Sequence, residues 1–216
     1  MKSEFNLKYN YLVIEGNIGS GKTSLALMLA KETNSRLILE EFADNPFLPD
    51  FYKNPSRYAF PLELSFLAER YHQLKEKFAR PELFNQTTVS DYLFVKSLLF
   101  AQINLSEDEY QLYRKLFNII DPMLPRPDLL IYLHNTTEQL LINIEKRGRG
   151  YEKAITAEYL DKVHNSYMNY FRQMSRQRIL ILSTGKADFV NNKNDYRRLK
   201  EIIQADYSPG LHTIIL

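Results

Sequence analysis

The chain has 216 residues, 44% of them apolar and 25% charged, which fits one globular domain with a sizeable core. A formal charge of +2 argues against a dedicated nucleic-acid binder, which usually shows a concentrated basic face, so no nucleic-acid polymer is expected as a partner. The absence of cysteine excludes disulfides, thiolate metal sites and cysteine nucleophiles. Residues 1–10 are too polar for a signal peptide, and no apolar run approaches the roughly 18 residues that span a bilayer. The expectation is a cytoplasmic protein with no membrane partner.

In chain order, the apolar run 11–15 reads as a buried strand and leads straight into Gly16-Asn17-Ile18-Gly19-Ser20-Gly21-Lys22-Thr23. Leu25, Leu27, Met28 and Leu29, with Ala26 and Ala30, then read as a helix packed on a sheet. Strand, glycine loop and helix together are the setting of a phosphate-binding loop. Gly16, Gly19 and Gly21 let successive N–H groups converge on one anion, with Asn17, Ile18, Ser20 and Ser24 completing the segment. The helix N-terminus adds the positive end of its dipole, Lys22 reaches the β/γ-phosphates, and Thr23 offers a hydroxyl to Mg²⁺. A plain glycine turn is the alternative; the full motif in this setting favours a nucleoside triphosphate as ligand.

Further strand-like runs at 37–40, 87–90, 129–133 and 179–182 alternate with helical patterns at 58–78, 107–123, 138–146 and 157–174. This alternation predicts a five-stranded parallel sheet flanked by helices on both faces, one α/β domain over 1–216. Residues 211–216 read as a docked tail. Ligands of such sheets gather at the carboxyl ends of the strands. The second strand ends at Glu40 and Glu41 and the third at Asp91, where a cation or a substrate hydroxyl would justify the acids. The alternative is a solvated strand end. Asp91 with Thr23 suits Mg²⁺, directly or through water, and a second carboxylate suits proton abstraction. Arg147-Gly148-Arg149 suits a lid over about 147–154 that clamps transferring phosphate, against the plainer reading of a helix C-terminus with a glycine stop. Asn192-Lys193-Asn194-Asp195 matches a guanine-reading signature, but it follows a polar stretch near a helix start and no D-x-x-G switch occurs, so that reading is rejected.

Together these motifs resemble the deoxynucleoside kinase family, especially its bacterial deoxyadenosine/deoxyguanosine kinase branch, over roughly residues 11–196. The segments Asn45-Pro46-Phe47-Leu48, Phe51-Tyr52-Lys53-Asn54-Pro55 and Arg147-Gly148-Arg149 with Tyr151-Glu152 carry the resemblance beside the loop. It implies a single-domain P-loop kinase fold with an arginine-bearing lid, ATP and Mg²⁺, and a small-molecule deoxynucleoside substrate. It also implies Glu40 as general base, with Glu41 easily confused for it. Tyr52 and Glu152 become candidates for the sugar 3′-hydroxyl, and Asp188-Phe189 for the adenine of ATP. Lys22, Arg147 and Arg149 would neutralise developing charge. Three positions differ from the family pattern. Glu63 stands in place of a base-pairing glutamine, with Arg70 seven residues on along the same helical face. Asp91-Tyr92-Leu93 lacks the usual arginine after the acid, leaving Lys96 as a substitute, and a shifted alignment gives Asp91 a base-side role. Asn143 replaces an arginine one turn before the lid.

An ionised Glu63 only accepts hydrogen bonds, which suits the amino group of adenine or cytosine or the N1–H of guanine. The expected substrate is a purine deoxynucleoside, deoxyadenosine first and deoxyguanosine second; a surface Glu63–Arg70 ion pair is the plainer alternative. The expected reaction is transfer of the ATP γ-phosphoryl to the 5′-hydroxyl. A nucleoside monophosphate kinase, using Arg57 and Arg70 for an acceptor phosphate, and a non-catalytic ATP-binding module are the rivals. The apolar residues at 93–103 and 107–123, with the resemblance, lead to the expectation of a homodimer.

Overall fold

The computed structural model describes residues 5–41, 45–79, 87–185 and 187–216. Of the polar N-terminal stretch, residues 1–4 lie outside them. Strand β1 (Tyr11–Gly16) is buried throughout. Leu12 and Ile14 pack with Leu25 and Leu29 of α1 (Lys22–Thr33), whereas Tyr11 and Val13 face the opposite layer with Leu67 and Tyr92. Alternate residues of a strand point to opposite faces, so a strand apolar at both parities needs helices on both sides of its sheet.

The remaining strands are β2 (Arg36–Ile38), β3 (Thr88–Ser90), β4 (Leu129–His134), β5 (Arg178–Ser183) and β6 (Gly210–Ile215), in the spatial order β2-β3-β1-β4-β5-β6 and parallel throughout. The sheet therefore has six strands, not five. The segment expected as a docked tail is β6, paired with β5 from Arg178↔Gly210 to Ser183↔Ile215. Its alternating burial marks a half-exposed edge strand, so it lacks the continuous apolar run of β4 and β5. β2 stops at Ile38 rather than 40, because the Glu40 N–H turns off the ladder and donates to Asp91 Oδ1 (2.7 Å).

Leu199 and Ile203 of α8 (Lys193–Gln204) join α1 on one face. The other face is covered by α3 (Pro55–Ala79), α4 (Lys96–Asn104), α5 (Glu107–Ile120) and α7 (Ala157–Gln173) through Leu67, Leu99, Tyr113, Tyr167 and Phe171. α3 begins earlier than the periodicity suggests, with Pro55 at its first position, where a missing N–H costs nothing. α5 starts on a capping box between Ser106 and Glu109 and ends before Pro122, where the chain tightens into a 3₁₀ turn. Two further helices, α2 (Leu48–Lys53) and α6 (Thr137–Arg147), stand over the carboxyl ends of the strands. Asn192 caps α8, so the Asn192–Asp195 run is a helix start, as read. Among the described residues no helix is long and apolar enough to cross a membrane.

Candidate active site

The loop after β1 is shaped by backbone conformations that side chains resist. Gly19 has φ +83°, and a Cβ there would lie 2.9 Å from the Leu140 carbonyl oxygen; Gly21 has φ +91° immediately before α1. Ser20 N (3.2 Å) and Lys22 Nζ (2.9 Å) both donate to the Asn17 carbonyl. Asn17 is itself fixed, donating from Nδ2 to the Leu160 carbonyl (2.7 Å) and accepting from Ile18 N (2.8 Å). Ser20 Oγ is buried with no hydrogen-bond partner, and the first turn of α1 carries N–H groups without intrahelical acceptors. An anion's oxygens would satisfy both. Burial and the neighbouring Lys96 lower the Lys22 ammonium to about 8, against the pull of Glu15, Glu40 and Asp91.

Two cavities flank this loop. The larger, about 740 Å³, is lined by residues 19–24 with Asn143, Asp188 and Phe189. The smaller, about 130 Å³, is lined by Ile18, Glu40, Tyr52, Glu63, Arg70, Asp91 and Glu152. Lys22, Thr23, Arg147 and Arg149 line both. Gly16 and Asn17 line neither; they shape the loop from beneath. Phe189 is buried against the loop, and a Cβ on Gly21 would meet its ring at 3.2 Å. Asp188 closes a turn by accepting from Val190 N and Asn191 N.

Where the cavities meet, Asp91 ties the parts together: Oδ2 accepts from Thr23 Oγ1 (2.6 Å) and Oδ1 from Glu40 N. Glu40 accepts from Arg70 Nε (3.0 Å) and Nη2 (2.6 Å) through Oε1, and from Lys96 Nζ (2.6 Å) through Oε2. Burial alone would raise its carboxyl, but the two cations outweigh that and hold it at about 2. Glu41 is exposed and accepts from Gln73 Nε2 (2.8 Å), so the adjacent acids part company. Arg70 continues from Nη1 to Ser97 Oγ (2.8 Å). The surface Glu63–Arg70 pair does not form: both residues are buried, and Arg70 is paired to Glu40.

Glu63 is 2% exposed. Its Oε1 accepts from Asn104 Nδ2 (2.6 Å), whereas its buried Oε2 has no hydrogen-bond partner. Burial raises this carboxyl to about 7 despite the nearby Arg70 charge and the Asn104 bond, so the expectation of a purely ionised acceptor is corrected. At the lid, α6 ends at Arg147 with Gly148 in the left-handed region. Arg147 Nε (3.0 Å) and Nη2 (2.6 Å) donate to Glu152 Oε2, and Arg149 Nη1 reaches Glu152 Oε1 (3.4 Å). Tyr52 stacks on Tyr151 beside them, ring centroids 6.1 Å apart.

Three residues were not assigned from the sequence. Glu15, fully buried in β1, accepts from Leu93 N (2.7 Å), Gly16 N (3.1 Å) and Tyr167 OH (2.9 Å), bracing the loop against the segment after β3. A carboxylate inside an otherwise apolar strand was the available signal. Asn104 positions Glu63. Asn143, noted only as a missing arginine, donates from Nδ2 to the Gly19 carbonyl (2.8 Å) and props the loop from α6. The donor set also bears on a metal. Thr23 and Asp91 offer hard oxygens side by side, and among the described residues no group of three or more His, Asp or Glu is arranged to hold an ion. The Thr23 hydroxyl and the Asp91 carboxylate are hard oxygens of the kind Mg²⁺ takes, with phosphates and water completing its shell.

Comparison with known proteins points to one family. A sequence model of the deoxynucleoside kinase family matches residues 12–206. The chain is 35% identical over 201 residues to a deoxyguanosine kinase of Bacillus subtilis (strain 168), covering 89% of this chain and 97% of that protein. It is 34% identical over 204 residues to a deoxyadenosine kinase of Dictyostelium discoideum, covering 94% and 81%. Among solved structures, a deoxyadenosine kinase from M. mycoides with bound dATP superposes with a TM-score of 0.75 at 20% identity, over 90% of this chain and 99% of that one. At that identity the likeness is one of fold.

Proposed function

Because the chain belongs to the deoxynucleoside kinase family, an ATP-dependent class of phosphotransferases, we propose that the larger cavity takes the triphosphate and the smaller one a purine deoxynucleoside. The observation that supports this assignment is the sharing of Lys22, Thr23, Arg147 and Arg149 by both cavities, as transfer at their junction requires. Glu40 faces that junction from the acceptor side. It orients the 5′-hydroxyl and takes its proton, while Lys22, Arg147 and Arg149 balance the charge spreading over the γ-phosphoryl oxygens. Thr23 and Asp91 hold Mg²⁺, which when bound neutralises phosphate charge. Glu152 keeps the lid arginines together beside Tyr52, at the sugar end of the acceptor cavity, and Asp188 with Phe189 borders the nucleotide base of the donor.

The relatives are named for deoxyguanosine and deoxyadenosine, and Glu63 in the acceptor cavity suits a purine edge. A phosphorylated acceptor fits less well, since Arg70 is committed to Glu40 and the cavity walls carry Glu63, Asp91 and Glu152. The test is ADP formation from Mg²⁺-ATP with each deoxynucleoside and each 5′-monophosphate offered separately. Turnover with a purine deoxynucleoside is expected; turnover confined to monophosphates would overturn the reading. A cytoplasmic homodimer is part of the same proposal. Leu112, Ile119 and Met123 stay exposed on and just after α5, and sedimentation of the Ile119→Glu protein as a monomer beside a dimeric parent would bear it out.

A further inference from the structure

Glu63 stands out among the buried groups as a carboxyl with one satisfied oxygen and one orphan. Asn104 donates to Oε1, while Oε2 is buried without a partner in a residue that lines the acceptor cavity. Seven residues of helix separate Glu63 from Arg70, about 10 Å along α3. Arg70 grips Glu40, and Glu40 and Glu63 both line the acceptor cavity. The ionisable groups around it come from every packed element. Arg70 lies on α3, Lys96 on α4 and Glu40 in the loop after β2; the tyrosines are Tyr52 on α2, Tyr113 on α5 and Tyr159 on α7. Arg70 donates to Glu40 and Ser97, Lys96 donates to Glu40, and burial keeps the three phenols neutral. Glu63 is therefore the acid of this cavity that changes charge near neutral pH, alongside the Lys22 ammonium at about 8.

We propose that Glu63 reads the purine in both of its protonation states, so that the enzyme's preference passes from deoxyadenosine to deoxyguanosine as pH rises. As a neutral acid, Oε2–H donates to adenine N1 while Oε1, retaining a lone pair beside the Asn104 bond, accepts from the 6-amino group. As a carboxylate, the same two oxygens accept from N1–H and the 2-amino group of guanine. An acid presents one donor and one acceptor; a carboxylate presents two acceptors. The purine edges differ in the same way.

This inference rests on the deoxynucleoside kinase reading, and its test separates the two. The ratio of kcat/KM for deoxyadenosine to that for deoxyguanosine is measured from about pH 5.5 to about pH 8.5. Ionisations shared by both reactions, Lys22 among them, cancel in the ratio. A fall of at least about tenfold with rising pH is expected, and in Glu63→Gln, whose amide cannot titrate, a ratio independent of pH. A flat ratio in the parent enzyme would overturn the inference while leaving the kinase reading intact, and so would an equal slope in Glu63→Gln. Failure to phosphorylate either purine deoxynucleoside would overturn the purine reading beneath it. The parent measurement decides without the variant.

Discussion

Glu40 is held at about 2 by Lys96 and Arg70, so it is ionised throughout the working range and is a weak base. That suits phosphoryl transfer through a loose transition state, in which the hydroxyl proton need leave only late and orientation matters more than basicity. Replacing Glu40 with Gln should lower kcat by about 10²–10³-fold. ATP affinity, read by titration calorimetry, should barely change; unaltered turnover would remove Glu40 from the mechanism. Glu63 gives a second prediction at this scale. Its carboxyl is raised from 4.5 to about 7, so between those values the folded chain holds a proton that the unfolded chain has lost. Glu63's contribution to stability is therefore present below about pH 4.5 and is lost as pH rises through about 7. Relative to the parent, Glu63→Gln should gain up to about 3 kcal/mol of unfolding free energy between about pH 5 and about pH 8. An unchanging difference across that range would contradict the burial argument. Both acids could be picked out from the sequence by position, but not their electrostatics, because Lys96 and Asn104 lie on α4, distant in the chain and joined to them only by the fold.

At the scale of elements, the loop and its flanking strand and helix were legible because every determinant is local: the apolar run, the glycines that take positive φ, and the lysine and threonine at the helix start. β4 and β5 were legible for the same reason, as continuous apolar runs. β6 was not, because an edge strand buries only alternate residues and its partner β5 lies about thirty residues away. The run Thr213-Ile214-Ile215, rich in β-branched residues, was the missed signal. Ending the chain at residue 209 removes that ladder and uncovers the edge of β5. The expected result is a Tm lower by at least about 5 °C, with aggregation as the strand edge becomes available. A protein of unchanged Tm would make β6 an appendage rather than part of the sheet.

At the scale of the whole molecule, the parallel sheet brings the ends of β1, β2, β3, β4 and β5 to one side, and the cavities on either side of the loop follow from that topology. The strand ends drew attention to this side from the sequence alone. What remained hidden was that the lid arginines, Lys22 and Thr23 belong to both cavities at once, a property of three-dimensional closure rather than of any motif. That shared junction predicts a direct path: phosphorus passes from donor to acceptor across it, in line, with no phosphorylated side chain between. Turnover of ATP made chiral at the γ-phosphorus, with deoxyadenosine as acceptor, tests it most directly. Inverted configuration in the 5′-monophosphate is the predicted result. Retained configuration would require a second displacement on the protein and would contradict the account.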